Sequence, residues 1–180
     1  RASKYIEGKL KLKINKEKTQ ISKLNQVKYL GYSFYKHKGK CRFRVHPKSI
    51  RRLKDKLKTV TGRSNGMSIE ERKIKLNQII RGWVQYFKLA DMKSIMQEID
   101  EWLRRRIRMI TWKRWKKTKT KFENLQKFGV AKGKAWEWAN TRKGYWHTAN
   151  SYILATTLTN ARFEKQGYLS FCKYYLEVRV

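Results

Sequence analysis

The sequence predicts a mainly α-helical protein with a short β segment at its N-terminal end. Residues with β-type alternation are confined to about the first 45 positions, whereas apolar residues between positions 47 and 110 recur at helical spacing. Hydrophobic residues make up 40% of the 180 positions and aromatic residues 13%, which is too much for a disordered basic chain. A packed core is therefore expected.

The β segment is predicted from three stretches. Leucine or isoleucine alternates with lysine over residues 10–14, which indicates a strand. Residues 27–35 form a second β-rich run, and Gly31 inside it indicates a close backbone approach. Residues 37–40 are typical of a hairpin loop leading into a strand at residues 41–45.

Two helices are expected to follow the β segment. The first begins near Pro47, because proline suits the first helical turn. Its apolar seam consists of Ile50, Leu53, Leu57 and Val60. The second opens with a capping box made by Ser68 and Glu71. Its apolar face carries Leu76, Ile80, Trp83 and Phe87.

A third helix is expected to be capped by Asp91. Its inward side chains are Met92, Ile95, Met96, Ile99, Leu103, Ile107 and Ile110. Two acid–base pairs at i,i+4 spacing are expected on its outer surface. They are Asp100 with Arg104 and Glu101 with Arg105. The three helices predict a small bundle that ends near Trp115.

The remainder of the chain predicts short helices. Their expected ranges are 122–128, 131–140, 145–158, 160–166 and 170–176. Glycines at positions 129 and 167 end the first and fourth of these.

The charge of the chain points to a polyanionic partner. Lys and Arg number 46 against 13 Asp and Glu, which gives a net charge of +33. No apolar run approaches the roughly 18 residues of a membrane span, and no lipidation signal is present, so nucleic acid is favoured over a membrane surface. Cys41 and Cys172 have no zinc-type spacing and are expected to be reduced thiols of an intracellular protein.

The densest basic signal lies between Arg104 and Lys121. Its cations are Arg104, Arg105, Arg106, Arg108, Lys113, Arg114, Lys116, Lys117, Lys119 and Lys121. These groups can neutralise phosphates, and the interleaved Trp112 and Trp115 can stack on bases. The alternative is a solvated charged face with both tryptophans in the core. Arg142 and Lys143, beside Tyr145 and Trp146, form a second basic-aromatic element, or a simple corner between two helices.

Catalytic groups are scarce. The chain has three aspartates, at positions 55, 91 and 100, and no pair at metal-binding spacing. Two-metal phosphoryl transfer therefore cannot be built from these residues alone, and no metal site is expected. His37, His46 and His147 have no identifiable nucleophile partner. The composition indicates a binding unit rather than a reaction centre.

Several motifs, taken in order, resemble the C-terminal part of bacterial group II intron reverse transcriptases, the intron-encoded maturases. Residues 12–19 (LKINKEKT) and 29–34 (YLGYSF) are similar to the sixth and seventh conserved reverse-transcriptase blocks. Residues 79–87 (IIRGWVQYF) resemble the signature of the maturase-specific domain, also called domain X or thumb. Three later stretches are similar to the family's sequence C-terminal to that signature: WLRRRIR at 102–108, WKRWK at 112–116 and RKGYW at 142–146.

The resemblance implies three regions. Residues 1–45 would be the last palm strands, residues 46–117 the helical thumb, and residues 118–180 a DNA-binding region. Lys18 would match the lysine that assists the pyrophosphate leaving group. The primer grip would comprise Leu30, Gly31 and Tyr32. Further nucleic-acid contacts are expected from Lys48, Arg51, Arg52 and Arg81, together with the basic residues named above.

The implied partners are group II intron RNA, an RNA template with its DNA primer, target DNA, and the upstream fingers and palm of the same protein. The implied roles are intron splicing and retrohoming in the bacterial cytoplasm, without a membrane. The Y-x-D-D aspartates would precede Arg1, so no cofactor is expected on this chain and Mg²⁺ would serve the full-length polymerase. The alternative is a non-enzymatic RNA chaperone that has lost polymerase function; a DNA-binding regulator would not explain the palm-type β blocks.

Overall fold

A computed structural model describes residues 2–15 and 22–179. Helix α1 spans Ala2–Gly8. The strand predicted at residues 10–14 is wrong: these residues form no strand, Lys11 has a positive φ of 54°, and Leu10 and Leu12 are more than half exposed. Alternation produces a strand only where a neighbouring edge can pair with it, and no such edge lies beside this segment in the described chain. Lys18, the candidate catalytic lysine, lies outside the described residues.

The β segment is a three-stranded antiparallel sheet in sequential order. Its strands are β1 (Lys28–Tyr29), β2 (Tyr32–His37) and β3 (Lys40–Val45). The predicted hairpin loop is confirmed, since Lys38 and Gly39 form the two-residue turn between β2 and β3 with positive φ values of 47° and 78°.

Gly31 lies in the other tight turn, between β1 and β2, rather than inside a continuous strand. Its φ is +84°, and a Cβ atom there would lie 2.9 Å from Ser49 Oγ and 3.1 Å from Phe87 Cζ. The expected close approach is therefore confirmed. Ser49 Oγ donates a hydrogen bond to the Gly31 carbonyl oxygen at 3.1 Å, which fixes the turn against the first long helix.

Helix α2 spans Pro47–Val60, as predicted, and buries Leu53, Leu57 and Val60. The ring of His46 caps it, because Nδ1 accepts from the amide of Lys48 at 3.1 Å. Helix α3 spans Ile69–Phe87. Ser68 Oγ accepts from the Glu71 amide at 3.1 Å, which confirms the predicted cap. The buried apolar side chains of α3 are Leu76, Ile80, Val84 and Phe87, with Trp83 half-buried beside them.

Helix α4 spans Lys93–Arg114, and the predicted cap by Asp91 is wrong. The residue preceding the helix is Met92, and the Asp91 carboxylate faces other donors. It accepts from Tyr35 Oη at 2.8 Å, from Arg42 at 3.3 Å and from Arg179 at 2.7 Å. Two guanidinium groups and a phenol satisfy this carboxylate better than one amide can. Asp91 therefore joins the sheet to the C-terminal residues.

The predicted surface pairs on α4 are also corrected. Asp100 is only 4% exposed, and its carboxylate accepts from Ser170 Oγ at 2.5 Å and from the amides of Phe171 and Cys172 at 2.8 and 2.9 Å. Arg104 approaches it at 3.9 Å, so the predicted pair forms, but its carboxylate is buried and its guanidinium is only partly exposed. Arg105 turns to Trp146 instead of Glu101. Asp100 thus binds the start of the last helix.

Six short helices complete the described part of the chain: α5 (Thr118–Lys127), α6 (Lys132–Ala139), α7 (Tyr145–Thr148), α8 (Tyr152–Thr157), α9 (Asn160–Lys165) and α10 (Phe171–Val178). The single helix predicted over 145–158 is two helices, because the chain turns at residues 149–151. One continuous core joins α2–α4 to these helices, with Leu125, Phe163, Phe171 and Tyr175 among its members. Both cysteines are free thiols, and no described helix could span a membrane.

Candidate nucleic-acid interface

The basic segment 104–121 divides into cations that hold the fold and cations that face solvent. Arg106 belongs to the first group. Its Nε donates to Thr61 Oγ1 at 2.5 Å, and one terminal nitrogen donates to the Thr61 carbonyl at 3.2 Å. Thr61 is fully buried at the C-terminal end of α2. Arg106 therefore supplies hydrogen-bond donors to carbonyl groups that have no partner within the helix. Burial lowers the pKa of Arg106, and the nearby charge of Arg63 lowers it further.

Arg108 and Lys121 are likewise turned inward. Arg108 Nε donates to the Leu158 carbonyl at 3.0 Å, which ties α4 to the end of α8. Burial lowers the pKa of Arg108, and the charge of Arg104 adds to this effect. Lys121 Nζ lies 4.7 Å from the centre of the Trp112 ring, and burial lowers the pKa of this lysine.

Arg105 links the two basic-aromatic elements that the sequence indicates. Its guanidinium lies 3.9 Å from the centre of the Trp146 ring and donates to the Trp146 carbonyl at 3.1 Å. The pair joins α4 to α7. Arg142 and Lys143, just before α7, are exposed, as are the rings of Tyr145 and Trp146 in part. This corner therefore offers both cations and aromatic surface to a ligand.

The expectation that Trp112 and Trp115 stack on bases is corrected. The two side chains are 1% and 9% exposed, and their rings pack edge to face at 5.7 Å. Trp115 also stacks on Phe128 at 5.8 Å. A base cannot reach either ring without opening the core, so both tryptophans are packing residues.

Most of the other predicted cationic contacts are exposed on three further surfaces. Arg114, Lys116, Lys117 and Lys119 surround the junction of α4 and α5. On α2 the predicted contacts Lys48, Arg51 and Arg52 are exposed opposite the buried seam, and Arg81 is exposed on α3. Lys113, by contrast, donates to the Arg63 carbonyl at 2.9 Å and to Ser64 Oγ at 3.3 Å.

A cleft of about 320 Å³ lies where the β1–β2 turn meets α2 and α3. The predicted primer-grip residues Leu30 and Gly31 form one wall, and Arg52 lies on the facing helix. Tyr32, the third of them, is not in the wall but supports it: its hydroxyl donates to the Tyr86 carbonyl, and Tyr86 Oη donates to the Leu30 carbonyl at 2.9 Å. Burial raises the pKa of Tyr32, with a smaller contribution from Tyr86.

Sequence reasoning missed four residues of this cleft. They are Lys28, Ser49, Lys56 and Tyr86. The signal for Lys56 was present, because it follows Arg52 by one helical turn and shares its face. The signals for Lys28 and Tyr86 were not present. Lys28 reaches the cleft because it lies on β1, beside the β1–β2 turn, and Tyr86 reaches it because α3 packs against that turn. The cleft combines three cations, including Arg52, with an aromatic wall, an arrangement suited to a phosphate-bearing strand.

Replacement of Arg106 by alanine tests the division of the basic segment. We expect the free energy of unfolding to fall by about 1–3 kcal/mol, because the buried Thr61 carbonyl and hydroxyl lose a charged donor. Replacement of the exposed Arg114 on the same helix should change it by less than about 0.5 kcal/mol. Urea denaturation followed by circular dichroism measures both; equal effects would contradict the division.

Residues 50–129 match the family model of the group II intron, maturase-specific domain. The match begins in the first turn of α2 and ends at the glycine after α5, so it contains the exposed faces of α2, α3 and the α4–α5 junction. No curated protein matches the chain. This segment of the chain is therefore similar to the maturase-specific domain of group II introns.

Proposed function

We propose that this chain binds group II intron RNA as the thumb and DNA-binding portion of a bacterial intron-encoded reverse transcriptase and maturase. The observation that carries the proposal is the match of residues 50–129 to the maturase-specific domain, because that segment bears most of the exposed cations described above. By covering phosphates, these cations reduce the repulsion that opposes folding of the intron RNA.

Helix α2 is suited to an RNA backbone. Lys48, Arg51 and Arg52 are exposed, while Leu53 and Leu57 on the opposite side are buried against the core. A rigid helix with this division can lie along phosphates and 2′-hydroxyl groups without exposing its apolar side. The contact would read shape rather than base sequence.

The cleft beside the Leu30–Gly31 turn supports a second role, the holding of a primed template. Its aromatic wall and its cations Lys28, Arg52 and Lys56 can contact both a sugar and a phosphate of the primer strand. The upstream palm would supply the catalytic carboxylates and their Mg²⁺. Residues 118–180, with the exposed Arg142 and Lys143, would contact target DNA.

Binding of group II intron RNA tests the proposal. The wild-type chain should bind this RNA more tightly than an unrelated structured RNA of equal length, and its affinity should fall steeply with salt. Replacement of Lys48, Arg51 and Arg52 by alanine should lower the slope of log affinity against log salt by roughly 2–3, at about 0.7–0.9 per lost phosphate contact. Filter binding over a salt series measures both quantities.

The matched control removes three exposed lysines away from α2, namely Lys36, Lys93 and Lys165. It loses the same charge, so it corrects for the general attraction of a +33 protein. Equal losses in the two variants would contradict the assignment of α2. Equal affinity of the wild-type chain for both RNAs would contradict the maturase role.

A second candidate is a splicing cofactor without polymerase function. The family match favours it as much as the first, because the matched domain is the maturase-specific one. A primed RNA–DNA duplex separates the two. Preferential binding of this duplex over an unprimed RNA strand supports the polymerase-associated role, and its absence supports the cofactor.

A further inference from the structure

A cavity separate from the cleft lies between the α2–α3 loop and the C-terminal end of α4. Its volume is about 380 Å³, within the range of about 300–1,000 Å³ that is typical of ligand pockets. Four cationic side chains line it, Arg63, Arg72, Lys113 and Arg114, and no carboxylate of the described residues does. Such a concentration of one charge in a concave site attracts an anion.

The nearest acidic side chains on α3 are already engaged. Glu70 pairs with Lys73 at 2.6 Å, and Glu71 pairs with Lys75 at 2.7 Å. The charge of Glu71 raises the pKa of Arg72, whereas the charge of Arg114 lowers it. Burial of Arg72 is the main cause of its lowered pKa, and Arg114 contributes to it. The cavity therefore retains a surplus of positive charge.

The walls of the cavity are fixed before any ligand arrives. Arg72 is only 5% exposed; its Nε donates to the Val60 carbonyl at 3.0 Å and a terminal nitrogen donates to Asn65 Oδ1 at 2.7 Å. Asn65 Nδ2 donates in turn to the carbonyls of Thr59 and Val60. Lys113 holds the loop from the other side through the Arg63 carbonyl. A buried guanidinium is costly unless an anion or good acceptors compensate it, and here its acceptors are neutral.

Two of the four cations are free to move toward a ligand. Arg63 and Arg114 are exposed and line the cavity from different elements, one from the α2–α3 loop and one from the last turn of α4. Guanidinium groups bind phosphate oxygens in a two-pronged geometry. Arg72 and Lys113, which are held by hydrogen bonds, would set the electrostatic potential of the cavity. The exposed Arg63 and Arg114 would close on the anion.

We propose that this cavity binds one phosphodiester group of a nucleic-acid backbone, held between Arg63 and Arg114 above the buried Arg72. The inference rests on the proposed function, since it assigns a specific anchoring point to the RNA that the chain binds. It adds a contact that lies away from both the exposed face of α2 and the cleft beside the Leu30–Gly31 turn.

Replacement of Arg63 and Arg114 by alanine tests the inference, with group II intron RNA as the probe. The matched control replaces Lys93 and Lys165, which removes the same charge from exposed sites elsewhere. Relative to that control, the pocket variant should bind roughly tenfold more weakly at low salt, as expected for a lost charged hydrogen-bonding site. Its salt slope should be lower by about 0.7–0.9, the value for one phosphate.

The outcomes separate the inference from the proposed function. If the wild-type chain binds intron RNA and the two variants weaken it equally, the pocket assignment is overturned while the function stands. If the wild-type chain does not prefer intron RNA over an unrelated RNA, the proposed function itself fails. Denaturation midpoints of both variants check that the fold is retained, as the exposed positions predict.

Titration with inorganic phosphate distinguishes a backbone site from a site for a free anion. The arginine Nε–H signals in an NMR spectrum report binding in the pocket. Shifts that disappear in the pocket variant, together with weaker RNA binding, support the proposal. The same shifts without any change in RNA affinity would show a free-anion site and overturn it.

Discussion

Replacement of Asp100 by alanine should lower the free energy of unfolding by about 3–5 kcal/mol, because three hydrogen-bond donors lose their acceptor at a cost of roughly 1–3 kcal/mol for each buried one. The carboxylate is 4% exposed and accepts from one hydroxyl and two amides at the start of α10. Alanine would leave two buried donors and one partly buried donor without this acceptor, and each orphaned donor is itself costly. Urea denaturation measures the change.

Glu101 provides the matched control, since it is the neighbouring acid on α4 and is exposed. Its replacement by alanine should change the free energy of unfolding by less than about 0.5 kcal/mol. Asparagine at position 100 should fall between the two, because the amide oxygen can still accept while its NH₂ group opposes the donors of α10. A loss below about 1 kcal/mol for alanine would mean that α10 is not held by this carboxylate.

The sequence spacing indicated that Asp100 is buried, but its charge favoured an assignment to the outer surface of α4. Met96, Asp100, Leu103 and Ile107 follow the 4-3-4 spacing of one buried stripe. An aspartate in that stripe has to find donors inside the protein. Sequence alone could show this conflict, but not that the donors come from residues 170–172, because that contact depends on how the chain returns to α4.

The three long helices were predictable because their signals are local. The apolar spacing in α2, α3 and α4, the proline of α2 and the Ser68 cap of α3 all act within a few residues of one another. The N-terminal alternation was equally local, yet it produced no strand. A strand depends on a partner edge, whereas a helix satisfies its own backbone.

In the basic segment, sequence alone could not predict which cations face solvent and which hold the fold. Its ten cations look equivalent, but Arg106 and Arg108 donate to backbone carbonyls of other elements, while Arg114 and Lys116 remain exposed. Every residue carries a carbonyl, so sequence contains no pattern that marks the acceptor. The number of charges was therefore predictable, and the share available to a nucleic acid was not.

Replacement of Trp112 by alanine should lower the free energy of unfolding by about 3–5 kcal/mol, because it removes one of the largest fully buried side chains and leaves a cavity. Lys121 would lose the ring it lies over, and Trp115 would lose an edge-to-face partner. Trp136, which is 59% exposed, is the control, and its replacement should cost far less. Urea denaturation measures the stability of each variant, and RNA binding under conditions where the variant is folded measures its affinity. The two measurements distinguish a tryptophan that packs in the core from one that contacts the nucleic acid. A Trp112 variant that keeps its stability but loses affinity for RNA would mean that this indole meets the nucleic acid after all, and that α4 and α5 separate to expose it.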